Sequence, residues 1–268
     1  MSWTPVDCHA HSIMSDGALD VAAIVERARA LGVRPSVSDH VSRDVAKAIA
    51  TIDDVRKYLD VLDDYDVFRG GEFCWHDTLW REIPDDLVRR FTHRVGSLHA
   101  ICLHDRSLVR VFSRRFPADL SPDAYMDAHV ENAEQFAREM PVDILAHPTL
   151  LPLTLRGIEH DRLWTEAREE RLVDALFHAG IAFEISARYW PHERIVRRAV
   201  DRGVRMSLGS DGHTEAQVCN VARPLELARA LGVPDTALYD PAAHGSKTGA
   251  FDPGVVPSNA RGASGVEG

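Results

Sequence analysis

The sequence has little that would tie a chain to a membrane, an oxidising compartment or a long nucleic acid. No apolar run approaches the ~18 residues that span a bilayer. The opening residues, MSWTPVDCHAH, lack the basic segment and apolar stretch of a signal peptide. The cysteines Cys8, Cys74, Cys102 and Cys219 are widely spaced and form no CxxC pair. That predicts free thiols in a reducing cytoplasm rather than a disulfide framework. Basic residues are in deficit, 31 Lys and Arg against 41 Asp and Glu, for a net charge of −10. The deficit disfavours long nucleic acid as a partner. Internal repeats are lacking as well, and nothing in the sequence specifies an oligomeric state. The unusual excess is 14 histidines in 268 residues, so the question becomes where they fall.

From about Asp240 the chain is rich in Gly, Pro, Ser and Ala and has no apolar period. This predicts one α/β domain over residues 1–239 and a flexible tail over 240–268. Within the domain, Asp20 is placed to cap a helix in which Val21, Ile24, Val25, Ala28 and Leu31 recur at three- and four-residue steps, and Gly32 ends it. Further helices are expected over about 122–139 behind a Ser121 cap, over 165–179 and 191–202, and up to Gly232. Seven β-like runs lie between them, at about 5–9, 34–39, 67–72, 94–99, 142–147, 181–186 and 205–209. Strands alternating with helices predict a parallel sheet with crossover helices. Seven such units suit a closed barrel, and an open doubly wound sheet fits the same alternation.

The histidines and several acids fall at or just beyond the C-terminal ends of these runs. His9 and His11 close the first, with Asp16 shortly after; His40 follows the second and Glu72 ends the third. His99 ends the fourth, His147 the fifth, and Asp211 and His213 follow the seventh. That rim is where parallel α/β barrels build active sites, because the strand-to-helix loops converge there. Six imidazoles and three carboxylates gathered at one place would carry a heavy desolvation cost unless cations were present. Imidazole and carboxylate are the common ligands of Zn²⁺, Mn²⁺ and Fe²⁺. In HxH on a strand both side chains point to one side, so His9 and His11 can share one ion. Asp211 and His213 have the same two-residue step, and Glu72 has two oxygens with which to bridge. Asp16, in SDG, also fits a plain turn residue.

The ordered set DCHAHS…SDG, SDH, GGEF, GSLH, LAHP and SDGH resembles the motifs of the PHP (polymerase and histidinol phosphatase) superfamily, over about residues 5–235. The resemblance implies a distorted (β/α)7 barrel with a trinuclear centre at the C-terminal ends of its strands. Carried over by motif, His9, His11, Glu72 and Asp211 would hold one ion. Asp16, His40 and His213 would hold a second, and His99, His147 and the bridging Glu72 a third. Zn²⁺ is the preferred metal, with Mn²⁺ or Fe²⁺ as alternatives. The segments GSLHA, LAHPTL, FEIS and SLGSDGH look like the histidinol-phosphate phosphatase branch. Two positions depart from it: Asp16 stands where many members of that branch have histidine, and Ser186 where asparagine is common.

The resemblance implies a metal-dependent phosphoesterase that hydrolyses a small phosphate monoester with a metal-activated hydroxide, Glu72, Asp211 and His213 being the catalytic residues. Three divalent ions against three carboxylates leave a centre of about +3, which suits a phosphate dianion. Arg188, just after the sixth strand, is the first choice for gripping phosphate, and Arg43 the second. The long segment after His99 carries Arg106, Arg110, Arg114 and Arg115. It reads either as a substrate lid or, with slight preference, as a solvated helix face. Trp75, His76 and Trp80 fit pocket lining or, better, packing, and Cys8 and Cys102 read as small buried residues. The competing functions are a phosphodiesterase or nuclease acting on nucleotides or short oligonucleotides, and a metal-stabilised module without turnover.

Overall fold

Local capping chemistry sets the helix ends. In the computed structural model, which describes residues 3–247, the Asp20 side chain accepts from Ala23 N at 2.8 Å and opens helix Val21–Leu31, and Gly32 closes it at φ +66°. Ser121 caps Pro122–Glu139, and Thr165 caps Glu166–Ala179, which Gly180 ends at φ +62°. Helix Glu193–Arg202 starts two residues later than its sequence signal, because His192 rather than a residue before Pro191 supplies the cap. One long helix, Ile52–Asp63, was not expected. Its capping residue Thr51 and buried stripe of Val55, Tyr58, Leu59 and Leu62 follow the same rules, hidden among alternating charges.

Five of the seven expected runs contribute to one six-stranded parallel sheet, whose remaining edge strand, His40–Val41, lies just past the expected 34–39. Its order is Met206–Gly209, Ala182–Ser186, Ile144–Leu145, Val95–Ser97, Glu72–Cys74 and His40–Val41. Ser36–Val37 and Phe68–Arg69 pair in parallel just upstream of the last two. The register sets Glu72 opposite both His40 and Val95, which brings the third strand's carboxylate to the level of the second strand's imidazole. The first segment lies between the two edges. On one side Cys8 N donates to Leu208 O at 2.9 Å and His11 N to Gly212 O at 3.0 Å. On the other, Arg34 N donates to Pro5 O and Ser38 N to Ala10 O, both at 2.8 Å.

Helices cover the outside. Pro122–Glu139, Glu166–Ala179 and Glu193–Arg202 pack successively against one another and bury their apolar faces, with Phe136, Trp164 and Phe183 fully enclosed. The segment after His99 is not helical. Ala100–Cys102 and Leu108–Arg110 form an antiparallel hairpin, and Cys102 is exposed on it rather than buried. Cys8 is buried, as its sequence context suggests. Within the expected tail, Asp240 caps a short helix, Pro241–His244, and Lys247 N donates to Asp143 Oδ1 at 2.9 Å. Residues 248–268 lie outside the described residues. Among the described residues no helix is long and apolar enough to cross a membrane.

A buried histidine in this scaffold has a measurable consequence. His129 lies inside helix Pro122–Glu139, edge-on to Trp164 at 5.3 Å, and burial pushes its pKa down to about 4. The folded chain keeps it neutral, whereas the unfolded chain protonates it below about 6.5. The unfolded state therefore binds more protons between the two values, and stability falls as pH falls through that window. Replacing His129 with Gln should remove about 2–3 kcal/mol of the stability lost between pH 7 and 4.5. Urea denaturation of the parent and variant at both pH values reads this out; identical losses would contradict the assignment.

Candidate metal centre

The parallel register and the strand ends deliver the nine expected ligands to one place. Glu72 lies at the middle. Its Oε2 is 2.6 Å from His40 Nδ1, 3.6 Å from His9 Nε2 and 3.7 Å from His11 Nε2. Its Oε1 is 3.2 Å from His99 Nε2 and 3.3 Å from His147 Nε2. Asp211 Oδ1 stands 3.4 Å from His11 Nε2. Asp16 Oδ1 stands 3.2 Å from His213 Nε2 and 3.7 Å from both His11 Nδ1 and His40 Nε2. A tetrahedral ion with bonds of about 2.0–2.1 Å keeps its donor atoms roughly 3.3 Å apart, and these separations bracket that value. Within this cluster three groups of donors lie mutually within 4.8 Å: His9, His11 and Asp211; His11, Asp16, His40 and His213; and His40, Glu72 and His99. His11 and His40 each sit between two groups, a sharing that a motif-by-motif assignment does not resolve.

The electrostatics of the cluster call for cations. Glu72 is 1 % exposed, yet neither of its oxygens makes a hydrogen bond, and Nδ1 of His11 and of His40 are likewise buried without partners. The short approach of His40 to Glu72 thus lacks hydrogen-bond geometry. Burial pushes the Glu72 carboxyl toward protonation, but the imidazoles of His40, His99 and His9 outweigh it and hold the group well below the ordinary range. Burial also opposes charge on His9 and His99, and there the neighbouring carboxylates win and raise both well above the usual imidazole value. His11 goes the other way, lowered to about 3 by burial and by His40. Protons alone would thus have to crowd onto some imidazoles and leave others bare. Divalent ions supply the same positive charge while engaging every orphaned lone pair, so the donor set fits them.

A second ring of residues aims the first. Glu184, which sequence reasoning passed over inside FEIS, is fully buried; its Oε1 lies 2.7 Å from His9 Nδ1 and its Oε2 accepts from His147 N at 2.6 Å. A partner on Nδ1 leaves His9 Nε2 free for the centre. Cys74 Sγ and Ser97 Oγ flank His99 Nδ1 at 3.2 and 3.3 Å. His213 Nδ1 is 3.0 Å from Asp211 O. Asp39 fixes the turn after His11, accepting from Ser12 N at 2.7 Å and Ser12 Oγ at 2.6 Å. His147 and Asp211 have φ of +31° and +48°, left-handed conformations that cost energy in non-glycine residues and recur at functional sites.

A cavity of about 490 Å³ opens onto this cluster. Asp16, His40, Glu72, His99, His147, Asp211 and His213 form its floor. Arg188 lies on the wall, its Nη1 2.5 Å from His213 Nδ1 and 3.7 Å from Asp211 Oδ1. Arg43 does not reach the cavity; both its terminal nitrogens bind Glu82 at 2.7 Å. A second arginine that reaches it besides Arg188 is Arg110, carried by the hairpin after His99 and paired with Asp44. His76 lines the cavity and contacts Asp44 at 2.5 Å, while Trp75 and Trp80 stack on each other at 6.1 Å and pack away from it. Phe112 and Tyr189 face each other across the mouth at 6.0 Å.

No family sequence model and no curated relative matches the chain. Solved structures do. The candidate histidinol phosphatase hisK from Listeria monocytogenes aligns with a TM-score of 0.67 at 15 % identity, over 82 % of this chain and 99 % of that one. The histidinol phosphate phosphatase of Lactococcus lactis subsp. lactis, solved with Zn, L-histidinol and phosphate, aligns with a TM-score of 0.65 at 16 % identity, over 87 % of this chain and 95 % of that one. At these identities the likeness is one of architecture: the chain has the α/β fold, with its largely parallel central sheet, that these histidinol phosphatase structures share.

Proposed function

We propose that the protein is a metal-dependent phosphoesterase of the PHP type that hydrolyses small phosphate monoesters. One observation carries the reading: the buried Glu72 carboxylate, with no hydrogen-bond donor of its own, is surrounded by nitrogens of His9, His11, His40, His99 and His147. The backbone hydrogen bonds that tie residues 5–11 to both edge strands support a closed seven-stranded barrel, with this cluster at the C-terminal mouth. Three divalent ions fit the donor set, with Glu72 reaching two of them, Asp211 joining His9 and His11, and Asp16 joining His40 and His213. Bound there, such ions would polarise phosphoryl oxygens and lower the pKa of water toward ~7. The chain's own groups do the positioning. Asp16 and the Asp211 carbonyl orient the His213 ring, and Arg188, beside it on the open side, presents a planar donor fork to a phosphoryl oxygen. The floor lies beneath the cavity mouth, so a monoester enters phosphate first and leaves its alcohol toward Phe112 and Tyr189.

Elemental analysis of the purified chain, combined with assays on L-histidinol phosphate, a nucleoside monophosphate and bis-p-nitrophenyl phosphate, tests the proposal. The expected result is about three Zn, Mn or Fe per chain and phosphate release from a monoester that a chelator abolishes and added metal restores. Metal-free protein, or preference for the diester, would overturn it.

A further inference from the structure

Beyond the floor, the cavity is charged in a way that bears on the substrate's other half. Away from the clustered ligands, the wall residues with formal charge are Arg188, Arg110 and Asp44, two guanidinium groups against one carboxylate. Asp44 is already engaged: Arg110 Nη1 sits on its Oδ2, and His76 Nε2 approaches the same oxygen at 2.5 Å. The remaining lining is apolar or neutral, from Val45, Ala46, Phe112, Ser113 and Tyr189. An ammonium group on the alcohol portion of a substrate would therefore find no unpaired carboxylate, whereas a second anion could take the guanidinium donors that Arg110 does not give to Asp44.

Arg110 is built to read that anion. Ala100 pairs with Arg110 in the hairpin, and Val111 N donates to His99 O at 2.9 Å, so the strand bearing Arg110 is pinned to the strand end bearing a floor imidazole. Its guanidinium has five N–H donors and gives Asp44 only part of them. Arg188 and Tyr189 stand across the mouth, with Tyr189 6.0 Å from Phe112 and the Arg188 guanidinium 5.3 Å from the Tyr189 ring centre.

Resting on the phosphoesterase reading, we infer that the site selects phosphomonoesters whose leaving group carries a second negative charge, a carboxylate or another phosphate, with Arg110 as the residue that recognises it. Cationic amino alcohol phosphates such as histidinol phosphate are then disfavoured.

The test uses two non-hydrolysable phosphonates of similar size, 3-phosphonopropionate and 2-aminoethylphosphonate, titrated calorimetrically into the metal-replete full chain. The carboxylate compound is expected to bind at least tenfold more tightly. Arg110→Gln should collapse that ratio toward one; because it compares two ligands on one preparation, a partly unfolded sample does not distort it. Equal affinities in the parent, preference for the ammonium compound, failure of both to bind, or an unchanged ratio in the variant would each overturn the inference. Hydrolysis of p-nitrophenyl phosphate, measured alongside, separates the two claims. Absence of turnover with the charge preference intact removes the phosphoesterase reading alone, and turnover without the preference removes the inference alone.

Discussion

Glu72→Gln should lose at least one bound metal per chain and about 10³-fold or more in phosphatase kcat/KM, the equivalent of about 4 kcal/mol in the transition state. The size of the effect follows from position. Glu72 turns both oxygens toward the clustered imidazoles from 1 % exposure, and every other proposed ligand group lies within reach of one of them or of its neighbours. An amide of the same shape keeps the packing against Val95 and His40 but presents one neutral oxygen and an NH₂ group in place of a shared anion. The NH₂ either donates to an imidazole lone pair that a cation would otherwise use or faces a cation directly, and both oppose metal binding. The variant should therefore fold, give the parent's circular dichroism spectrum, and yet bind metal substoichiometrically. A variant that keeps full metal content and activity would remove Glu72 from the centre, and with it the physical basis for a multinuclear site.

The elements whose cause is local were legible in the sequence. Asp20, Ser121 and Thr165 cap helices, and Gly32 and Gly180 end them, because a side-chain oxygen or a left-handed glycine acts within one turn. The convergence of the nine proposed ligands was legible for a related reason: strand ends in a parallel α/β fold share one rim, so order along the chain maps onto proximity in space. What was not legible depends on contacts between distant segments. Whether Arg43 or Arg110 enters the cavity turns on Glu82 being within reach of the first, and on a hairpin that folds back along His99 to carry the second. The segment 100–113 has no strong period in either sense, and only its antiparallel pairing and the turn at Arg106, φ +66°, reveal a strand rather than a helix. Helix Ile52–Asp63 is a different case. Its stripe of Val55, Tyr58, Leu59 and Leu62 was readable but masked by surrounding charges. Glu184 likewise left a signal, a lone carboxylate between Phe183 and Ile185 in a strand whose every residue is buried. A charged residue in such a strand needs a partner, and the histidines were the available ones.

That partner relationship predicts a large effect from a residue that is not itself a proposed ligand. Glu184 accepts at both oxygens, from His147 N at 2.6 Å and in contact with His9 Nδ1 at 2.7 Å. Glutamine cannot reproduce this. If its oxygen accepts from His147 N, its NH₂ faces His9 Nδ1 and forces the proton to Nε2, the atom that would bind metal. If its oxygen faces His9, its NH₂ meets the His147 N–H, leaving a buried donor unsatisfied at a residue already held at φ +31°. The first outcome should weaken metal binding by about 10–100-fold, as loss of a ligand's outer partner does; the second should cost about 1–3 kcal/mol of stability. Chelator-competition measurements of metal affinity, with urea denaturation of the same apo protein, distinguish them. Gly209→Ala provides an independent check without changing any polar group, since a Cβ there would sit 2.0 Å from Glu184 Oε1 and 3.0 Å from His9 Cβ. Glu184→Gln acts on the centre by mispairing Glu184, and Gly209→Ala by displacing Glu184 and crowding His9 beside it. If Glu184→Gln left metal affinity within twofold of the parent and its stability unchanged, the carboxylate would be a passive core residue, and the orientation of His9 and His147 would have to come from elsewhere.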